Sequence, residues 1–120
     1  MSTSEAMWWL AQLQVWVVQQ SCFDNKCSTD NIRICYEYSE ALKYATYNAL
    51  AYMESNSDAE NNKYSVLNVT LKSRVDEYDE QLYKEFFDLY EQWLQTISVE
   101  YRRHYLISKE LIDIYNPKKV

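Results

Sequence analysis

Glycine is absent from the 120 residues. Average usage would place about eight in a chain of this length. Glycine supplies the positive φ of tight hairpin turns and the close backbone approach of phosphate-cradling loops. Without it there is no P-loop and no GxGxxG fingerprint. Proline occurs once, at Pro117. A chain with so little punctuation is read as long helices joined by Asn, Asp and Ser loops, with asparagine and aspartate taking the left-handed positions.

Histidine is almost as scarce. His104 stands alone, which removes HExxH metalloenzymes and the paired Glu-x-x-His of di-iron bundles. Glu100 lies one helical turn before His104, but one such pair makes no metal site. Beside Arg102 and Arg103, His104 reads as a solvated surface side chain. A cysteine nucleophile needs an activating base, and a lone, remote histidine supplies none.

Positive charge is also in short supply. The net charge is −6, which opposes direct binding to nucleic acid, since that relies on neutralising phosphates. It equally opposes anionic membrane surfaces. The basic residues are scattered as Lys72/Arg74, Arg102/Arg103 and Lys118/Lys119, too far apart in sequence for a stacking groove. The run from Ala6 to Phe23 has no charge, but it is short and carries Gln12, Gln14, Gln19 and Gln20. A membrane span needs about 20 mostly apolar residues, and Glu5 replaces the basic flank of a secretory leader.

The cysteines number three, at Cys22, Cys27 and Cys35. The odd count reads as free thiols in a reduced, cytoplasmic setting. A Cys22–Cys27 disulfide and a Cys₃His zinc site completed by His104 are the alternatives. No cofactor and no metal are expected.

The expected fold is a single all-α domain over 1–120, a compact bundle of four to five helices at about 3–20, 31–54, 59–95 and 98–115. Ser2-x-x-Glu5 reads as a capping box opening the first helix. Its apolar residues Met7, Trp8, Trp9, Leu10, Leu13, Val15, Trp16, Val17 and Val18 cover more than one face, so it is expected to be central or covered by a second chain. Cys35, Tyr38, Leu42, Ala45, Ala49 and Tyr52 give the second helix a stripe spaced three and four. Leu67, Leu71, Val75, Tyr78, Leu82, Phe86, Leu89 and Trp93 fit one straight face of the third. Helix from 59 to 115 would span roughly 85 Å, far beyond a domain of this size. The β-branched Thr96, Ile97 and Val99 place the break near 95–98. A further start capped at Ser73-x-x-Asp76 would make five helices. Residues 64–71 alternate weakly, but their leucines join the downstream stripe.

What remains is an excess: 12 tyrosines and four tryptophans, residue types concentrated at interface hot spots. Trp8, Trp9 and Trp16 of the first helix, with Tyr36, Tyr44 and Tyr47 on a second face of the next, are the candidate contact residues. Asp76, Glu77, Asp79, Glu80, Asp88 and Glu91 form an acidic face opposite the apolar stripe. That face reads as solvated, as a dock for a basic protein, or as a mimic of DNA phosphates. The expected role is non-enzymatic: binding another protein, as an adaptor or a phage- or virus-type stoichiometric inhibitor of a host complex, with homodimerisation through the first helix. An acidic DNA mimic is the second reading and a small metal-binding protein the third.

Overall fold

The computed structural model describes residues 12–23, 33–56 and 62–113. It is a three-stranded antiparallel sheet packed on helices. In chain order the elements are β1 (Gln12–Cys22), β2 (Arg33–Cys35), α1 (Tyr38–Asn56), α2 (Asn62–Ser73), α3 (Glu80–Leu94), a 3₁₀ turn (Val99–Tyr101) and β3 (Arg103–Asp113). The strand order is β2-β1-β3.

The all-α expectation is therefore wrong, and it fails in three segments, one of them Arg33–Cys35, which was expected to open the second helix and instead forms β2. Residues expected to end the first helix form β1, and residues expected to form the last helix make β3. Both segments carry β-branched and aromatic side chains suited to a pleated surface: Val15, Trp16, Val17 and Val18 in one, Tyr105, Ile107 and Ile112 in the other. Apolar residues on more than one face of a supposed helix describe a strand whose two faces both meet apolar surroundings. The expected helix over 59–95 is also divided, because the chain turns at residues 74–79 between α2 and α3.

The register explains the packing. Val18 lies opposite Ile107, Gln20 opposite Tyr105 and Cys22 opposite Arg103, while Trp16 lies opposite Cys35. Directly paired residues share a face. The face bearing Trp16, Val18, Cys35, Tyr105 and Ile107 packs on Ala41, Ala45 and Tyr44 of α1 and Phe87 of α3. Alanines at those α1 positions leave no side chain to hold the helix away from the strands.

The main core lies between α1, α2 and α3, around Leu42, Ala49, Leu50, Met53, Leu71, Leu82, Phe86 and Leu94. Its centre is aromatic. Along α3 the rings of Phe86 and Tyr90, then Tyr90 and Trp93, sit 5.8 Å apart. Burying one such side chain contributes about 1.5–3 kcal/mol. Asp79 starts α3: its backbone is extended (φ −139°) and its carboxylate accepts from the Leu82 amide. The cap thus lies six residues beyond Ser73, the cap of the Ser73-x-x-Asp76 start suggested by the sequence. The helix ends where the amides of Gln95 and Thr96 bond back to Gln92 and Trp93 in a tightened turn.

No helix of the described residues is long and apolar enough to cross a membrane. The Ser2-x-x-Glu5 box, Trp8, Trp9, Cys27 and Pro117 lie outside the described residues.

Candidate interaction surfaces

The open face of the sheet is set by the same alternation. Val15, Val17, Ile34, Leu106 and Ile112 occupy the face opposite Trp16 and Val18. Val15 is 1% exposed, so the centre of this face is covered. Its flanks are open: Ile34 is 56% exposed on the β2 edge, and Leu106 and Ile112 are 53% and 41% exposed on the β3 edge. Val17 is half-buried beside Ile34. Toward the end of β3, Leu111 is exposed on the helix-side face, where it pairs with Gln14.

The candidate aromatic contacts do not form one surface. Trp16 is half-buried and meets Tyr38 edge-on at 5.0 Å. It lies on a strand, so dimerisation through a first helix loses its element. Tyr36 precedes α1 and is highly exposed. Tyr44 sits under Arg33, whose guanidinium carbon is 4.6 Å from the ring centroid. Tyr47 is a packing residue: its hydroxyl donates to the Leu71 carbonyl at 2.6 Å, and its ring meets Tyr83 at 6.1 Å. Tyr44, Tyr47, Arg33 and Val75 line a shallow cleft of about 440 Å³ on one side of α1.

The acidic residues do not share one continuous helix. Asp76 and Glu77 lie in the turn before α3, and Asp79 is its cap. Asp79 also pairs with Arg74 at 3.3 Å, Glu80 with Lys84 at 3.5 Å and Glu91 with His104 at 3.3 Å. Asp88 is exposed on α3. Three of the six carboxylates thus have local cationic or histidine partners. Such exposed pairs contribute about 0–1 kcal/mol each, enough to show a solvated surface but too little to organise one.

The zinc arrangement suggested by the sequence is not assembled. Cys22 is disulfide-bonded and so offers no thiolate, which also corrects the free-thiol reading at that position. Cys35 is free but buried. Cys35 lies opposite Trp16 and His104 opposite Ser21. That places them on opposite faces and roughly 17 Å apart along β1. Among the described residues, no group of three His, Cys, Asp or Glu side chains is close enough to hold a metal ion.

A second cleft, of about 580 Å³, opens farther along α1 and shares Asn48 with the first. Asn48, Tyr52 and Asn56 line it from the helix, Tyr101 from the 3₁₀ turn, and Arg103 and Tyr105 from β3. Its walls are pinned from behind. The Tyr90 hydroxyl donates to the Arg103 carbonyl at 2.5 Å, and the Tyr52 hydroxyl donates to the Tyr101 carbonyl. The Arg103 guanidinium carbon lies 4.2 Å from the centre of the Tyr52 ring. Burial raises the Tyr105 phenol above its ordinary value, and the charge of Arg103 partly offsets that rise. Sequence reading missed this cleft, because Arg103 appeared only as part of a scattered basic pair and its partners are about fifty positions away.

The chain matches no known family, no curated protein and no solved structure.

Proposed function

We propose that this protein acts by binding another protein, through the open flanks of the sheet face that bears Ile34, Leu106 and Ile112, and is not an enzyme. The observation that carries this reading is the placement of Ile34, Leu106 and Ile112. They sit on one sheet face, each more than two-fifths exposed, while the opposite face packs on α1 and α3. Exposed apolar side chains on one sheet face, here Ile34 and Leu106 toward one end and Ile112 toward the other of the covered Val15, are the kind that interface cores are made from. The half-buried Val17 links the β2 side of the surface to β3. A second copy of the chain is one partner this face fits, so homodimerisation remains part of the proposal, carried by the sheet.

The acidic DNA-mimic reading gains nothing from the structure, because its carboxylates are split between a turn and a helix and half of them are locally paired.

The test is a Leu106→Asp, Ile34→Asp double variant. Both positions are exposed, so the variant is expected to keep the parent's circular dichroism. Light scattering across a concentration series reads the second copy, and affinity capture from the source cells reads other partners. The proposal predicts that the double variant loses an association the parent shows. Equal mass and an equal set of captured proteins for the two chains would refute it.

A further inference from the structure

The Arg103 cleft contains an electrostatic imbalance. Among the described residues Arg103 is the one charged side chain that lines it. Among the described residues Arg103 forms no ion pair, although four pairs form elsewhere. Its Nε is fully buried and has no hydrogen-bond partner, while elsewhere the guanidinium hydrogen-bonds the Tyr105 side chain. A buried donor left unpaired costs about 1–3 kcal/mol, more on a charged group, so such groups ordinarily have a partner.

The surroundings hold the guanidinium ready. Tyr52 stacks beneath it, an arrangement that favours the planar cation. The Tyr90 hydroxyl fixes the Arg103 backbone from the core side. Asn48 and Asn56 turn their amide nitrogens back onto the carbonyls of Tyr44 and Tyr52 at 2.8 and 2.9 Å. Those amide groups therefore have little freedom to swing across and hydrogen-bond the guanidinium. The cleft volume lies within the roughly 300–1,000 Å³ typical of small-molecule sites.

We propose that this cleft binds a small organic monocarboxylate, with the Arg103 guanidinium, stacked on Tyr52, taking the carboxylate. A guanidinium fork matches a planar carboxylate in two parallel hydrogen bonds. One cation balances one negative charge. A phosphate dianion would be under-compensated here, in a chain of net charge −6 and beside the last turn of α1, whose end carries partial negative charge. The remaining volume, bounded by Ala51, Tyr101 and the two asparagines, takes the body of the ligand. This site is separate from the open sheet face and does not depend on the protein-binding reading.

The test uses the full chain, isotope-labelled, with backbone amide shifts followed by NMR. Sodium acetate and sodium benzoate are titrated separately, against sodium phosphate and sodium chloride at matched ionic strength. Saturable shifts at Tyr101, Arg103 and Tyr105 are expected with a carboxylate, and weaker ones with phosphate. Arg103→Gln is expected to weaken carboxylate binding at least tenfold. Ala51→Phe fills the cleft from an exposed helix position and leaves Arg103 in place; it is expected to abolish binding with the rest of the spectrum unchanged. If Arg103→Gln fails to fold, Ala51→Phe decides alone. Absence of saturable shifts with both carboxylates, phosphate binding as tight as carboxylate, or undiminished binding in the folded variants would overturn the proposal.

Discussion

The Tyr90 hydroxyl donates to the backbone carbonyl of Arg103 across 2.5 Å, joining the middle of α3 to the first residue of β3. Tyr90 is wholly buried, with its ring against Phe86, Trp93 and Tyr105. One side chain therefore serves the helical core and the sheet together. Removing the hydroxyl leaves the ring packing but takes a donor from a carbonyl. Tyr90→Phe is expected to lower stability by about 1–3 kcal/mol. Tyr90→Ala, which empties the ring site, is expected to cost about 3–5 kcal/mol. Urea denaturation reads both, as a lowered midpoint at unchanged slope. A Tyr90→Phe midpoint equal to the parent's would mean that the bond contributes nothing to the fold.

Alkaline pH acts on the tyrosines of the core. Burial raises the phenol pKa of Tyr90, Tyr105, Tyr47 and Tyr83 above the ordinary 10.0. A raised phenol pKa means the folded state holds its proton more tightly than the unfolded chain. Their contribution to stability is whole below about pH 10 and is lost as pH rises through the folded values. Thermal midpoints are therefore expected to fall above about pH 10. Tyrosinate absorbance should rise in two phases, the later one coinciding with loss of circular dichroism. A single phase near the free-phenol value, with the fold intact, would contradict the burial of these rings.

Asp79 is the residue whose two roles separate most simply. It caps α3 through the Leu82 amide at 3.1 Å and pairs with Arg74 at 3.3 Å. Capping residues contribute about 0.5–2 kcal/mol, whereas exposed ion pairs contribute about 0–1 kcal/mol. Asp79→Ala is expected to cost about 1 kcal/mol or more, and Asp79→Asn or Arg74→Ala a few tenths. Chemical denaturation of the three variants checks the order. An Arg74→Ala loss equal to that of Asp79→Ala would assign the effect to the ion pair.

The helical part of this molecule was largely legible in the sequence, and the sheet was not. Leu82, Phe86 and Trp93 recur at helical spacing, and all three are buried along α3. β1 is a short apolar run, which periodicity alone does not distinguish from a buried helix. Leu13, Val15 and Val17 alternate with Gln12 and Gln14, but Trp16 and Val18 interrupt the pattern by facing a second apolar layer. The missing glycine argues against strands only where tight hairpins join them. It excludes two-residue hairpins, yet β1 and β3 are joined through all three helices and need none. The Arg103 cleft was hidden for the same reason, since its walls come together only when β3 docks against α1. Helical spacing puts Tyr44 and Tyr47 on a second face, but Tyr47 is turned to packing by its bond to Leu71.

The pairing of β1 with β3 also sets an order in time. Gln12 meets Asp113, about a hundred residues later in the chain, and sequence-distant contacts of this kind slow folding. During synthesis β1 emerges well before its partner, while α1 and α3 form from local contacts. Until β3 is made, a strand bearing Leu13, Val15 and Val17 has only the three residues of β2 to pair with. In that interval it is open to strands of neighbouring chains, the hazard of an unpaired edge. The sheet is thus completed last, and the growing chain is most prone to misassociation just before β3 leaves the ribosome.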